Sequence, residues 1–374
     1  MTKHKIAFVG NTSFSLYNFR LGIMKSFIAK GYEVYAIAPN DKYSELFVHE
    51  NITYINLEID GKGTSIFKDS SLIYNIYKTY KEQKFSYVFH YTIKPVIYGS
   101  IICRILKVPN IAITTGLGYA FFSTNLLNRF VTKLYKKALE KVDEVWFLNT
   151  DDRALFTGRG IINKSSGFVL NGEGVNSEFF CPQNKNRSDN KFIFLLLSRL
   201  VKEKGIVEFV VAAKNLKEKY PNIECQILGK TDIDNPSNIP IEKVEDWERE
   251  GYIKHFKDSL DVRSYIANAD CVVLPSYYRE GIPRCLLEAM SMERPIITTN
   301  NVGCIELIDD KVNGLMCKTN DIIDLTKKME EMYILSENER KKMGENGRKK
   351  VLEKFDEKII IEQYHKRLKL YFQD

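Results

Sequence analysis

The sequence of 374 residues lacks any apolar run that approaches the length of a membrane span. No signal peptide is visible either, because the N-terminus runs directly into the strand-like segment I-A-F-V-G. The seven cysteines are scattered without C-x-x-C spacing, and their odd number argues against a disulfide framework. We therefore expect buried thiols in a reducing cytoplasm. The five histidines show no metal-ligand spacing, so no zinc site is expected.

Motifs of two other protein classes are also missing. A nicotinamide-dependent oxidoreductase should carry G-x-G-x-x-G after its first strand, where this chain reads G-N-T-S-F-S. No recognised nucleic-acid motif accompanies the net charge of +7. That charge permits binding to anionic lipid, nucleic acid or phosphorylated substrates and does not choose among them. With 44% apolar and 28% charged residues, the composition is that of a globular protein, and the length allows two domains.

The sequence does contain a regular alternation of strand-like and helix-like segments, which predicts parallel sheets covered by helices. We expect two Rossmann-like domains that face a cleft, residues 1–183 and 191–356, joined by the polar segment 184–190. The strands predicted for the first domain are 5–9, 34–38, 53–57, 87–90, 111–114, 144–148 and 168–170, with a helix near 20–30. Those predicted for the second are 192–197, 224–228, 253–256, 271–274 and 295–298.

The run E-G-I-P-R-C-L-L-E-A-M contains two glutamates, Glu280 and Glu288, separated by seven residues. Pro283 suits the first position of a helix, so Glu280 is expected in a strand-to-helix turn and Glu288 about one turn into the helix. Such a turn presents backbone N–H groups and the positive end of a helix dipole, which favour a phosphate. Nearby carboxylates can accept hydrogen bonds from hydroxyl groups. The alternative is an ordinary amphipathic helix with two solvated glutamates.

A second motif, L-L-L-S-R-L-V-K-E-K-G, places Arg199 and Lys204 just after a buried apolar strand. Two positioned cations can stabilise the negative charge of a departing nucleoside diphosphate without a metal. A stray arginine and lysine after a strand are usually surface charge, but this pair precedes the two glutamates by a spacing that one Rossmann-like domain would give. The run T-D-I-D at 231–234 is interpreted as a polar loop, so no metal site is predicted.

Together these motifs resemble the donor-site signature of the retaining GT-B glycosyltransferases of family GT4. The resemblance covers nearly the whole chain and is most specific between residues 192 and 315. It implies an α/β GT-B fold in which the C-terminal helix, about 357–374, crosses back onto the first domain. It also implies that Arg199 and Lys204 hold the diphosphate, that Glu280 contacts the sugar hydroxyls and that Glu288 contacts the ribose. Arg199, Lys204 and Glu280 would be the catalytic residues.

The resemblance extends to the backbone of the donor site. Gly229, in I-L-G-K-T-D, would allow close approach to the donor, and the backbone N–H groups of Gly281 and Ile282 would help to seat it. No side chain is implied as a covalent nucleophile, because in the family the leaving phosphate is thought to assist the acceptor hydroxyl. The UDP-sugar is then a co-substrate, and no cofactor is implied.

The segments H-Y-T-I-K-P-V-I-Y-G and T-T-G-L-G-Y-A-F resemble a subgroup acting on undecaprenyl-diphosphate-linked sugars in glycan and surface-polysaccharide assembly. This implies an N-acetylhexosamine donor such as UDP-GalNAc and a polyprenyl-diphosphate-linked saccharide as acceptor. Gly116 and Gly118 would allow a tight loop beside the acceptor, and Lys94 could meet its phosphate. His90 is expected at a strand end close to the cleft, although a lone histidine is more often structural. A different nucleotide-sugar donor, a soluble acceptor, or a non-catalytic nucleotide- or nucleic-acid-binding protein are the alternatives.

The loop after the first strand departs from the family pattern. Many members carry paired glycines there, whereas this chain has Asn11, Thr12 and Ser13. These small polar residues could still let backbone N–H groups approach a phosphate. A simple strand-to-helix turn explains them equally well.

An amphipathic helix is predicted over 126–142. Its apolar face consists of Leu127, Val131, Leu134, Ala138 and Val142. The other faces are basic and carry Arg129, Lys133, Lys136, Lys137 and Lys141. Such a helix could lie on an anionic membrane surface beside the acceptor, which would make the protein cytoplasmic and peripheral on the cytoplasmic face of the membrane. The alternative is a core-facing helix with a solvated basic face.

Overall fold

The computed structural model describes residues 4–60, 66–116, 126–233 and 235–371. The chain divides into two compact units. The first runs to Glu173 and resumes at Glu357, and the second is Gly174–Asp356. In these described parts of the chain, each helix is too short or too polar to cross a membrane.

The first unit is built on a parallel sheet of seven strands in the order β3-β2-β1-β4-β5-β6-β7. Its strands are β1 (Lys5–Val9), β2 (Glu33–Ala38), β3 (Thr53–Asn56), β4 (Tyr87–Tyr91), β5 (Asn110–Thr114), β6 (Glu144–Phe147) and β7 (Gly167–Val169). The central strands β4 and β5 are buried along their whole length, as expected for a sheet with helices on both faces. These strands match the predicted segments closely.

Helices connect the strands of the first unit, and one short π-helical turn spans Pro95–Gly99. They are α1 (Ser13–Ala29), α2 (Leu46–His49), α3 (Ile66–Gln83), α4 (Ser100–Leu106), α5 (Leu126–Leu139) and α6 (Thr150–Gly158). Helix α1 begins well before the predicted start near residue 20. The reason is a cap, since the Thr12 side chain accepts a hydrogen bond of 3.1 Å from the Ser15 N–H.

The second unit contains a parallel sheet of six strands in the order β10-β9-β8-β11-β12-β13. Its strands are β8 (Phe192–Leu197), β9 (Ile223–Leu228), β10 (Lys254–Phe256), β11 (Cys271–Leu274), β12 (Ile296–Thr299) and β13 (Gly314–Cys317). Its helices are α7 (Ile206–Lys219), α8 (Ile241–Arg249), α9 (Arg263–Asn268), α10 (Arg284–Ser291), α11 (Ile322–Ile334) and α12 (Glu337–Lys354). Strand β13 is absent from the sequence prediction.

Residues 174–183 belong to the second unit, not to the first domain as predicted. Val175 and Phe180 are buried in the core beneath β8, together with Ile193 and Leu195. The Val175 N–H also donates to the carbonyl of Phe355 at 2.9 Å. Because these apolar side chains are buried in the second unit, the boundary between the units falls after Glu173 and not at the polar segment 184–190.

The last helix, α13 (Glu357–Leu368), returns to the first unit and packs on α1. The Tyr364 hydroxyl lies 2.9 Å from that of Tyr91 on β4, and His365 Nε2 lies 2.9 Å from Ser26 Oγ. This confirms the prediction that the C-terminal helix crosses back onto the first domain.

Candidate functional site

Lys204 and Glu280 form an ion pair at the carboxyl ends of β8 and β11. Lys204 Nζ lies 2.5 Å from Glu280 Oε1, and Ser276 Oγ donates to the same oxygen at 2.8 Å. The Lys204 and Glu280 side chains are only 15% and 10% exposed. Burial lowers the pKa of Lys204, but the charge and hydrogen bond of Glu280 together outweigh it and raise that pKa above the usual value. The lysine is therefore a fixed cation.

A glycine explains why the two loops meet. A 3₁₀ turn, Lys202–Lys204, follows β8 and ends at Gly205, whose φ is +75°. A Cβ on Gly205 would overlap the carbonyl oxygen of Pro275 at the end of β11. The absence of a side chain lets the loop approach β11, which brings Lys204 beside Glu280.

Arg199 pairs with Asp232, a residue that the sequence prediction did not include in the site. Arg199 Nη1 lies 2.5 Å from Asp232 Oδ2. Arg199 is 53% exposed and Asp232 is 14% exposed. Asp232, the first aspartate of the T-D-I-D run, is therefore the counter-ion of Arg199, and the last residue of that run lies outside the described residues. Within the described residues, no group of three or more histidine, cysteine, aspartate or glutamate side chains could hold a metal ion.

Gly229 follows β9 and packs directly against the loop that carries Arg199. A Cβ at this position would overlap the carbonyl oxygen of Ser198. The Gly229 carbonyl is in turn 2.8 Å from Nε2 of His255. The absence of a side chain at Gly229 thus lets the β8 and β9 loops lie close together at the carboxyl ends of these strands, where Arg199 lies.

Glu280, Gly281 and Ile282 form the turn before α10. Pro283 was predicted at the first position of the helix. It is instead the N-cap residue, and α10 begins at Arg284. Gly303, which the sequence prediction missed, packs against the backbone of this turn. Its φ is +79°, and a Cβ there would come within 2.7 Å of the Glu280 carbonyl oxygen. Its signal in the sequence is only the short run N-N-V-G.

Glu288 lies on α10 and pairs with Arg284, whose Nε is 3.2 Å from Glu288 Oε1. The glutamate side chain is 14% exposed. Burial raises the pKa of Glu288 to about 7, although the charge and hydrogen bond of Arg284 act to lower it. The carboxyl group therefore titrates near neutral pH.

The site thus contains three ion pairs, each joining a cation to a carboxylate. They are Lys204–Glu280, Arg199–Asp232 and Arg284–Glu288. The carboxyl ends of parallel strands, beside the start of a helix, are where α/β sheets bind ligands. A phosphate-bearing ligand would find cations and helix N–H groups here, and its hydroxyl groups would find carboxylates.

Two family models match the chain in succession. Residues 5–149 match the glycosyl transferase 4-like family, and residues 179–350 match glycosyl transferases group 1. A Campylobacter jejuni protein named N,N'-diacetylbacillosaminyl-diphospho-undecaprenol alpha-1,3-N-acetylgalactosaminyltransferase is 27% identical over 98% of each chain. The chain belongs to the GT4-type glycosyltransferases.

Two further glycosyltransferase comparisons concern one sequence relative and one solved structure. An Escherichia coli UDP-Gal:alpha-D-GlcNAc-diphosphoundecaprenol alpha-1,3-galactosyltransferase is 27% identical over 70% of each chain. The crystal structure of Anabaena HepE in complex with UDP and glucose has a TM-score of 0.82, with 16% identity over 98% of this chain and 99% of that one. The structural match confirms the GT-B fold.

In the first unit of the glycosyltransferase, the loop after β1 is a strand-to-helix turn. Thr12 caps α1, and the Ser13 hydroxyl donates to the carbonyl of Pro39 at 2.8 Å. Ser13 is fully buried, whereas Asn11 is partly exposed. The side chains of Thr12 and Ser13 therefore stabilise the turn itself. Any phosphate contact here would come from the backbone or from Asn11.

His90 lies near the end of β4, as predicted, but its side chain is buried in the core of the first unit. Its side chain is fully buried, and its Nε2 lies 2.9 Å from the Tyr80 hydroxyl. Burial lowers the pKa of His90 to about 3, so the ring is neutral at physiological pH. The ring also packs against Gly99, where a Cβ would overlap it. This histidine has a structural role.

Lys94 and Gly116 lie in the loops that follow β4 and β5. Lys94 Nζ is 2.6 Å from Asp69 Oδ1, and the Tyr98 hydroxyl donates to the other oxygen of Asp69 at 2.8 Å. Gly116 has a φ of +125°, which favours glycine. Gly118 lies outside the described residues. Lys94 would have to leave Asp69 in order to meet an acceptor phosphate.

Helix α5 faces the core of the first unit with its apolar side. Tyr135, Ala138 and Leu139 are buried, and Val131 and Leu134 pack against the same cluster. The basic face is exposed, and Phe130 beside it is 60% exposed. The apolar positions from Val131 to Leu139 are thus part of the core, whereas the basic face and Phe130 are exposed. The side chain of Leu127 lies outside the described residues.

Proposed function

We propose that this glycosyltransferase moves a sugar from a UDP-sugar to a polyprenyl-diphosphate-linked saccharide during glycan or surface-polysaccharide assembly, with retention at the anomeric carbon. The observation that carries the proposal is the buried Lys204–Glu280 pair at the carboxyl ends of β8 and β11. The names of the Campylobacter and Escherichia coli relatives support the lipid-linked acceptor. The former also supports an N-acetylhexosamine such as GalNAc as the transferred sugar.

Each side chain of the site then has a specific task. Arg199 and Lys204 hold the diphosphate and stabilise the charge that develops on it as the glycosidic bond to the sugar breaks. Glu280 accepts hydrogen bonds from the sugar hydroxyls, and Glu288 accepts them from the ribose. The N–H groups of Gly281 and Ile282, at the start of α10, seat the donor. The acceptor hydroxyl attacks from the face that the diphosphate leaves, and its proton passes to the departing phosphate.

We propose further that transfer needs no divalent metal or other cofactor, since Arg199 and Lys204 would supply two cations to the diphosphate. Asp232 is engaged by Arg199, which argues against a metal at the T-D-I-D run. Transfer should therefore persist in excess EDTA. Complete loss of activity, restored by Mn²⁺ or Mg²⁺, would overturn this part of the proposal.

The proposed location is the cytoplasmic face of a membrane, where a polyprenyl diphosphate would be presented. The exposed basic face of α5 supports it, because cationic side chains are attracted to anionic lipid. Nucleic acid is not a proposed partner.

Ligand-dependent thermal stability tests the donor class first. UDP should raise the melting temperature, because a ligand that binds only the folded state stabilises it, whereas NAD and oligonucleotides should not. A panel of nucleotide sugars is then incubated with polyprenyl-diphosphate-linked and soluble saccharide acceptors, and the products are read by mass. Transfer from UDP-GalNAc to the lipid-linked acceptor is the expected result. Transfer only to a soluble acceptor, or no stabilisation by UDP, would contradict the proposal.

A further inference from the structure

Asp232 is held in place by a loop that is tied to the loop of Arg199. Its backbone N–H donates to Asn238 Oδ1 at 2.8 Å. Bridges join Leu200 to Thr231 and Val201 to Asn238. These contacts hold the backbone of Asp232 near the end of β8, and its carboxylate also accepts a hydrogen bond of 3.4 Å from Asn235 Nδ2.

The two partners of the Arg199–Asp232 pair differ in freedom. Asp232 is 14% exposed, whereas Arg199 is 53% exposed. The carboxylate is fixed and the guanidinium reaches it across the surface on a long flexible stem. An exposed pair of this kind contributes little to stability, so it can be exchanged at small cost. The Lys204–Glu280 pair is buried, so replacing either partner by another ion would cost more.

We infer that Asp232 is a positioning residue that competes with the donor diphosphate for Arg199. With the donor site empty, Asp232 holds Arg199 beside the loop. A bound diphosphate draws the guanidinium away, because a diphosphate carries more negative charge than one carboxylate. When UDP leaves, Asp232 takes Arg199 back, which favours release of the product. The inference rests on the proposed role of Arg199 in holding the diphosphate.

The test measures UDP affinity by calorimetric titration of the full-length chain. Asp232→Asn removes the competing charge but leaves the backbone contacts of the loop intact. We expect D232N to bind UDP about tenfold more tightly, with a lower donor KM and a lower kcat as product release slows. Asp232→Glu keeps the charge and should bind UDP within about threefold of the wild type. A purely structural role for Asp232 predicts weaker UDP binding and a lower melting temperature in D232N.

A double-mutant cycle shows whether the effect passes through Arg199. R199A alone should weaken UDP binding, and adding D232N to R199A should change the affinity by less than about threefold. The control is Asp189→Asn, because Asp189 also pairs with an arginine, Arg187, but lies before the amino end of β8. D189N should leave UDP affinity unchanged.

The outcomes separate the inference from the proposed function. If R199A weakens UDP binding but D232N does not tighten it, the competition is disproved while the diphosphate contact stands. If D232N tightens binding equally with and without Arg199, Asp232 does not act through the arginine. If R199A leaves UDP affinity unchanged, the proposed diphosphate contact of Arg199 fails, and the inference fails with it.

Discussion

Lys204 and Arg199 are both assigned to the diphosphate, but they differ in burial. Removing a charge contact to a leaving group should lower transfer by about a hundredfold or more in Lys204→Ala and in Arg199→Ala. Only K204A should also destabilise the fold, by about 3 kcal/mol, because it removes the lysine partner of a buried carboxylate. Transfer assays measure the activity of the two variants, and denaturant unfolding measures their stability.

Lys202 provides the control for both variants, since it lies in the same 3₁₀ turn and is exposed. K202A should retain both activity and stability. Near-normal turnover in R199A or K204A would remove that residue from the diphosphate assignment.

Glu288 is predicted to give donor binding a pH dependence, if it contacts the ribose as proposed. Its pKa is raised to about 7 by burial, so the carboxyl group is largely protonated at pH 6 and ionised at pH 8. A carboxylate accepts hydrogen bonds from ribose hydroxyls more strongly than a neutral acid does. The affinity for UDP-GalNAc should therefore rise as the pH increases through about 7. Calorimetric titration between pH 6 and 8 measures this change.

Glu288→Gln separates this effect from other titrations in the site. E288Q removes the titrating carboxyl group of residue 288 and leaves the other side chains of the site unchanged. We expect the affinity of E288Q to be flat across the same range. An unchanged slope in E288Q would assign the titration to another group.

At the scale of elements, the buried strands were the most predictable part of the fold. Strands β8 and β11 are continuous apolar runs buried along their length, which is the pattern of a central parallel strand. Strand β13 escaped prediction because it is four residues long and begins with glycine. Its pairing with β12, and not its own propensity, makes it a strand. The early start of α1 was signalled by Thr12, which is a preferred N-cap residue.

The site was predictable where short motifs carry it and not where distant loops meet. Glu280, Lys204 and Arg199 stand in runs with a recognisable spacing. Asp232 is 33 positions from Arg199 in the chain, and only the contact between the β8 and β9 loops reveals the pair. His90 was correctly placed near the end of a strand, but its burial was not foreseen. That burial depends on the packing of Tyr80 and Gly99 against the ring, which no local pattern encodes.

Gly229 lies where the β8 and β9 loops of the candidate site come into contact, and a substitution there tests this contact. In Gly229→Ala the new methyl group would overlap the carbonyl oxygen of Ser198, so the β8 and β9 loops must separate. We expect weaker UDP binding and a loss of stability of about 1–3 kcal/mol. Gly158→Ala is the matched control, since a Cβ there meets nothing within 4 Å. Equal behaviour of the two variants would show that the close approach at Gly229 is unimportant.

At the scale of the whole molecule, the net charge of +7 matters most where basic side chains share an exposed surface. The basic face of α5 is such a surface, because Tyr135, Ala138 and Leu139 of the same helix are buried in the core of the first unit and the lysines are exposed. Attraction between this face and anionic lipid would be screened by salt, since the Debye length falls to about 3 Å at 1 M. Binding to anionic vesicles should therefore weaken steeply as salt is added, and sedimentation with vesicles measures it.

Charge reversal on α5 tests whether this surface, and not net charge alone, holds the enzyme at the membrane. Replacing Lys133, Lys136 and Lys137 by Glu changes the net charge from +7 to +1. The control reverses three exposed lysines of α12 in the second unit, Lys341, Lys342 and Lys349, and changes the net charge equally. The α5 variant alone should leave the vesicles and transfer slowly to a long polyprenyl acceptor. It should use a short soluble analogue almost as the wild type does, because none of the three lysines is among the residues proposed to bind the donor. Salt-independent vesicle binding, or equal losses on both acceptors, would leave the basic face of α5 as a solvated surface.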